Sequence, residues 1–217
     1  MNKIYDVVAF DLDGTLSDPY NGLIASFAYA LRKMGIDFAT RSELKRFIGP
    51  PLYDEWRNVY SFSHEEATLA LHYFHEYFAV YGWWDNVLYA GIPQLLKVLK
   101  KRGKKIILAT SKPERFAIKV LELFGIKEFF DFIGAAESEK VRDKKHEVLQ
   151  YALDSINVAP HANCVLVGDR VYDAEGAKIC NIDSIGVLYG YGSEEEINSS
   201  GFNYVVKSVE ELEKLLL

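Results

Sequence analysis

Two cysteines in 217 residues, Cys164 and Cys180, are too few for a disulfide framework, and their spacing matches no thiolate metal site. They read as core fillers in a reducing compartment. No apolar run is long enough to span a bilayer, and the first residues lack the charged, apolar, small-residue succession of a secretory leader, so a cytoplasmic protein is expected. Positive charge is not in excess either. Twenty-five Lys and Arg against 31 Asp and Glu give a formal net charge of -6, which leaves no electrostatic footprint for nucleic acid or an anionic membrane. The expected partner is a small molecule, bound by a monomer or small homo-oligomer. Internal repeats and low-complexity segments are missing from the sequence.

What the chain does have is apolar content, 49% of residues, enough to bury one domain plus a lid. Val7 to Phe10 is a short, partly β-branched run without polar interruption, as in a strand buried on both faces of a parallel sheet. It stops at Asp11-Leu12-Asp13-Gly14-Thr15. The two carboxylates therefore stand at the C-terminal end of a strand, the edge where open α/β sheets bind ligands, and side-chain alternation puts them on one side. Gly14 permits a sharp turn. A calcium loop of the helix-loop-helix type would need its glycine at position six and a helix in front, whereas Gly14 is fourth and follows a strand.

Downstream, Asp18-Pro19 supplies an N-cap and a first-turn proline, and Leu23, Ile24, Phe27, Leu31 and Met34 recur at helical spacing up to Gly35. Ser42 begins a second short helix that ends at the rigid Phe47-Ile48-Gly49-Pro50-Pro51 loop. Ser63-His64-Glu65-Glu66 is a capping-box pattern that opens a third helix running to Gly82. Between Asp18 and Val87 no strand is expected.

Beyond Val87 the pattern alternates: helix 93–102, strand 105–109, helix 113–124, strand 132–134, helix 144–154, strand 164–167, a short helix from Asp173, strands 183–187 and 204–206, and a last helix capped by Ser208 and Glu211. This is βαβ architecture, and the first crossover far exceeds the dozen or so residues that a parallel connection needs. The expectation is a doubly wound, Rossmann-like parallel sheet from residues 1–17 and 88–217. Residues 18–87 form an inserted all-helical cap, joined near Ser17 and Leu88.

Several predicted strands end in one chemical set. The strand from Lys105 ends in Thr110-Ser111-Lys112, and that from Cys164 ends in Gly168-Asp169, with Asp173 a helical turn later. The segment after Gly134 reaches Arg142, Lys144 and Lys145 at a helix start, where cations oppose the macrodipole and an anion would hold them. Taken singly, each has a plain reading as a strand-end hydroxyl, a solvated charge or a turn. Taken together, their convergence on one sheet edge is not expected by accident and points to one site.

Asp11-Leu12-Asp13-Gly14-Thr15-Leu16, Thr110, a lysine at Lys145 or Lys144, and Gly168-Asp169 with Asp173 resemble, in order, the four motifs of the haloacid dehalogenase superfamily. The lid's position is similar to that of the subclass with a small helical cap, and of phosphoglycolate-phosphatase-like members in particular. Arg170 stands where many relatives carry Ser or Asn. The resemblance implies a magnesium-dependent phosphatase in which Asp11 attacks phosphorus to give an aspartyl-phosphate. Asp13 protonates the leaving alcohol and then activates water. Asp11, Asp13 (through its backbone carbonyl) and Asp169 hold Mg2+. Gly14, Thr110, Ser111 and Lys145 bind the phosphate oxygens, and Asp173 supports them. A phosphorylated small metabolite is the implied substrate, and a 5'-nucleotidase or a phosphomutase is the alternative on the same scaffold.

Asp13 separates these from a dehalogenase, which needs neither the acid nor magnesium. In the lid, Lys45, Arg46 and the Gly49-Pro50-Pro51 loop look similar to a segment that faces the active site in phosphoglycolate-phosphatase-like relatives. Arg46 there would meet a substrate carboxylate or second phosphate. Tyr53, Trp56, Tyr60, Trp83 and Trp84 are candidate base-stacking residues or simply lid core. His72 and His75 lack a third ligand and read as surface residues.

Overall fold

The computed structural model describes residues 4–37, 40–49, 52–137, 142–156 and 163–217. The chain divides into two compact units, Met1–Asp18 with Leu88–Leu217, and Pro19–Val87.

The Pro19–Val87 unit contains α1 (Tyr20–Lys33), a 3-10 segment (Arg41–Phe47), α2 (Leu52–Tyr60), α3 (His64–Tyr77) and a π turn (Phe78–Gly82). The capping box expected at Ser63 is present: its Oγ accepts from Glu66 N at 3.2 Å and its own N donates to Glu66 Oε2 at 2.8 Å. Asp18 does not cap α1. Pro19 occupies the N-cap position without a side-chain bond, and Asp18 lies in a short strand with its carboxylate engaged elsewhere. The second short helix is the 3-10 segment, and α2 follows it without having been foreseen.

An aromatic cluster fills this unit. Phe74 stacks on Phe27 at 5.2 Å and on Phe78 at 5.4 Å between ring centres, with Trp56 edge-on at 6.4 Å. Trp56, fully buried here, belongs to the core and is not free to stack on a base. Gly22 N donates to Asp85 O at 3.2 Å, so the unit's first and last turns meet and it closes on itself. Pro50 and Pro51 lie outside the described residues.

The other unit is built on β1 (Val7–Phe10), β4 (Lys105–Pro113), β5 (Phe132–Ala136), β6 (Cys164–Gly168), β7 (Asp183–Val187) and β8 (Tyr204–Val206). Two further short strands, β2 (Ser17–Asp18) and β3 (Val87–Leu88), pair separately. The six strands run in the order β5-β4-β1-β6-β7-β8, every pairing parallel. Successive strands build outward from β1 on one side and then return to its other side. β1 is therefore the switch point, with a crevice at the C-terminal ends where connections diverge.

Side-chain alternation buries both faces. Val8, Phe10, Leu108, Val165 and Val167 pack with α4 (Ile92–Lys101), α5 (Glu114–Leu123) and α9 (Val209–Leu216). Val7, Ala9, Ile107, Ala109 and Leu166 pack with α6 (Lys145–Ser155) and α7 (Val171–Ile179). The doubly wound parallel architecture expected from the sequence is the one observed, with an additional short helix, α8 (Glu194–Ser199).

Candidate active site

Four carboxylates and two lysines gather at the C-terminal ends of β1, β4 and β6. Asp11 follows β1 directly, its N bonded to Val167 O at 2.9 Å, and its Oδ1 meets Lys145 Nζ at 2.8 Å. Lys145 is the first residue of α6; its Nζ also lies 2.9 Å from Asp173 Oδ1 and donates to Ala109 O at 3.0 Å. Lys144 is exposed at the N-cap. Lys145 is thus the lysine of the cluster. Asp173, in the first turn of α7, accepts through Oδ2 from the amides of Asp169 (3.1 Å) and Arg170 (3.0 Å), so its own oxygens serve to brace the β6–α7 turn. Asp169 is completely buried and accepts from Tyr191 N at 2.7 Å and Thr15 Oγ1 at 3.3 Å.

Carboxylate oxygens of Asp11, Asp169 and Asp173 all lie within 4.8 Å of one another, a spacing that can hold a cation. The Asp13 carboxylate is turned elsewhere, to Lys112 Nζ at 2.5 Å. Gly14 has φ +84°, and a β-carbon there would stand 2.1 Å from Asp169 Oδ2; only glycine allows the loop after β1 to lie against that carboxylate.

Thr110 is buried, and its Oγ1 accepts from Lys112 N at 3.2 Å, while Ser111 is exposed. The strand does not end at Ala109 as expected. It continues to Pro113 with a bulge: Thr110 pairs with Ala135 and Pro113 with Ala136, leaving Ser111 and Lys112 outside the ladder. Bulges re-aim side chains, and this one turns Lys112 toward Asp13. Lys112 and Thr15 are site residues that the sequence reading passed over. A lysine at a strand end looks like a solvated charge, and nothing in the composition announces a bulge.

Arg142 and Arg170 are engaged outside this cluster. Arg142 lies over the Tyr151 ring at 3.7 Å and pairs with Glu137 at 3.5 Å. Arg170 donates through Nε to Glu196 Oε1 at 2.9 Å and so ties α7 to α8. Arg46 is exposed in the Pro19–Val87 unit.

The electrostatics call for a cation. Were all four carboxylates ionised, two ammonium groups would leave two negative charges in excess. Burial, together with the Asp173 and Asp11 charges, pushes Asp169 well above the usual carboxylate range. Burial raises Asp173 to about 6, with Lys145 opposing the shift. Burial also raises Asp13, held down by Lys112. Burial pulls Lys145 down, but Asp11 and Asp173 outweigh it and leave the ammonium firmly charged. A divalent cation beside Asp11 and Asp169 would cancel the excess, and oxygen-only donors suit a hard ion. Asp13 Oδ1 is buried and has no hydrogen-bond partner among the described residues.

A parallel sheet whose switch point carries this lysine-braced carboxylate cluster defines a class, the doubly wound α/β proteins with an acidic site at the strand ends. The sequence family described as haloacid dehalogenase-like hydrolase matches residues 8–187, and the chain belongs to it. A 5'-nucleotidase of Pseudomonas aeruginosa is 38% identical over 195 residues, which cover 90% of this chain and 88% of that protein. The tyrosine-protein kinase PtkA of Mycobacterium tuberculosis is 34% identical over 213 residues, 97% of this chain and 72% of the relative. A phosphoglycolate phosphatase of Vibrio vulnificus is 27% identical, covering 97% of this chain and 96% of its own. Among solved structures, a predicted phosphatase from Clostridium acetobutylicum superposes with a TM-score of 0.92 at 41% identity, covering 98% of each chain.

Proposed function

We propose that the chain is a magnesium-dependent phosphatase of the cytoplasm that hydrolyses a small phosphate monoester through an aspartyl-phosphate on Asp11. The observation that carries this is Lys145 Nζ held between Asp11 Oδ1 and Asp173 Oδ1 in a buried cluster with two excess negative charges. Such a site favours a divalent cation and then a phosphate, and offers an oriented carboxylate as nucleophile. The carboxylates of Asp11 and Asp169 and the main-chain carbonyl of Asp13 would hold the ion, whose charge offsets the repulsion between a dianionic ester and an attacking carboxylate.

In this reading Asp11 forms a bond to phosphorus as the ester oxygen departs. Asp13, fixed through Oδ2 by Lys112, gives its proton to that oxygen through Oδ1 and later takes one from the water that cleaves the acyl-phosphate. Lys145 keeps Asp11 aligned. Amides after β1 and in the bulge of β4, with Gly14, Thr110 and Ser111, receive the phosphoryl oxygens. Residues 19–87 act as the cap that selects the substrate, and Arg46 is its candidate cation for a substrate carboxylate or second phosphate, as in a phosphoglycolate-like acid. A second reading, hydrolysis of nucleoside monophosphates, is supported by the 38% identical 5'-nucleotidase.

The test is release of inorganic phosphate from phosphoglycolate, nucleoside 5'-monophosphates and sugar phosphates, compared as kcat/KM with magnesium and with chelator. Hydrolysis that requires magnesium and disappears in Asp11→Asn is the expected result. A ranking led by nucleotides selects the second reading, isomerised sugar phosphate without phosphate release selects a mutase, and full turnover in chelator overturns the metal assignment.

A further inference from the structure

The loop after β7, Tyr189-Gly190-Tyr191-Gly192, runs across the back of the Asp169 carboxylate. Tyr191 N donates to Asp169 Oδ2 at 2.7 Å and Gly192 N to Asp169 O at 3.1 Å. A β-carbon on Gly190 would stand 2.5 Å from Asp169 Oδ2 and 2.4 Å from Gly14 O, so the backbone itself forms the wall of the cradle. Two glycines in four residues give such a loop little stiffness of its own. Its two phenols supply what the backbone lacks, because both reach the segment that follows β1. Tyr189 OH donates to Thr15 O at 3.2 Å, and Tyr191 OH donates to Asp18 Oδ1. Tyr89 packs edge-on against Tyr189 with centres 5.0 Å apart.

We infer that Tyr191 is a positioning residue for the metal-binding carboxylate. Its phenol, anchored on Asp18, fixes the loop whose main-chain amide orients Asp169. The inference rests on the reading of Asp169 as a cation ligand. A carboxylate that already accepts from Tyr191 N and Thr15 Oγ1 has a fixed plane, and its remaining lone pairs point along fixed directions. Slack in the loop spreads those directions and weakens the ion's hold without removing a ligand or a charge. Asp18 takes part as the acceptor for the Tyr191 phenol. This also accounts for its absence from the N-cap of α1.

The experiment is calorimetric titration of the phosphate-free full chain with Mn2+ and with Mg2+, beside kcat and KM at saturating metal. Tyr191→Phe keeps the ring and the loop amide and removes the hydroxyl that anchors on Asp18. The metal dissociation constant is expected to rise about tenfold, with the substrate KM at saturating metal nearly unchanged. Asp18→Ala is expected to match it, the double variant to be no weaker than either single one, and Asp18→Asn, which keeps an oxygen acceptor, to bind within about threefold of the parent. Unchanged affinity in Tyr191→Phe, additive losses in the double variant, or a loss in Asp18→Asn equal to that in Asp18→Ala would each overturn the inference. If Tyr191→Phe does not fold, as judged by its amide circular dichroism, the two Asp18 variants carry the comparison. Failure of the parent protein to bind either ion would instead overturn the metal reading itself.

Discussion

Lys112 holds Asp13 by one oxygen and leaves the other, buried, without a hydrogen-bond partner among the described residues; in the proposed reaction that second oxygen carries the proton. Burial raises the Asp13 carboxyl, and the Lys112 ammonium pulls it back. In Lys112→Met that pull is gone, so Asp13 holds its proton to higher pH and the form that activates water appears later. The acid limb of the kcat profile should move upward by about one pH unit. A limb that stays in place would put the proton transfer on another group. At this scale the sequence was legible wherever a polar residue ended an apolar strand: Asp11, Asp13, Thr110 and Asp169 all announce themselves in that way. Lys112 did not, since its role depends on the β4 bulge. Tyr191 could not, because it touches Asp169 through an amide that every residue but proline possesses.

Arg170 shows how an element is held rather than how a reaction runs. Its Nε and the Val171 amide share Glu196 Oε1, at 2.9 and 3.0 Å, which fastens the start of α7 to α8. Both side chains of the Arg170–Glu196 pair are partly buried, so the pair contributes about 1 kcal/mol. Arg170→Ser should lower stability by about that amount in urea denaturation and leave kcat/KM within about threefold. A hundredfold loss of activity would place the guanidinium in the site instead. The strands of the sheet were legible within a residue or two, β4 excepted, because runs buried on both faces admit few other readings. α2 and α8 were not. α2 has Trp56 as its only fully buried side chain, and α8 opens with Glu194-Glu195-Glu196, which reads as solvated charge.

For the molecule as a whole, the charge excess of the cluster sets how stability responds to pH and to cations. Asp173 titrates at about 6 when folded against an ordinary 3.8, so its preference for the folded state is complete below about 3.8 and fades as pH rises through about 6. Asp169 and Asp13 shift in the same direction. Without cation, the cluster therefore favours the fold more at about pH 5 than at about pH 7. Magnesium should reverse this. At a hundred times its dissociation constant it adds about 2.7 kcal/mol, or about 5–10 °C in Tm for a chain of this length, measurable by calorimetry at neutral pH. The inserted unit was legible from the length of the first crossover alone, whereas its interior was not, since helical periodicity does not say which aromatic rings meet.

The chain's three tryptophans, Trp56, Trp83 and Trp84, all fall within Pro19–Val87, and the unit that carries the sheet has none. Indole fluorescence therefore belongs entirely to the insertion, while the carboxylates that would take up magnesium sit in the unit without tryptophan. Emission excited through indole while the ion is added would therefore report on the insertion alone, without attaching a label.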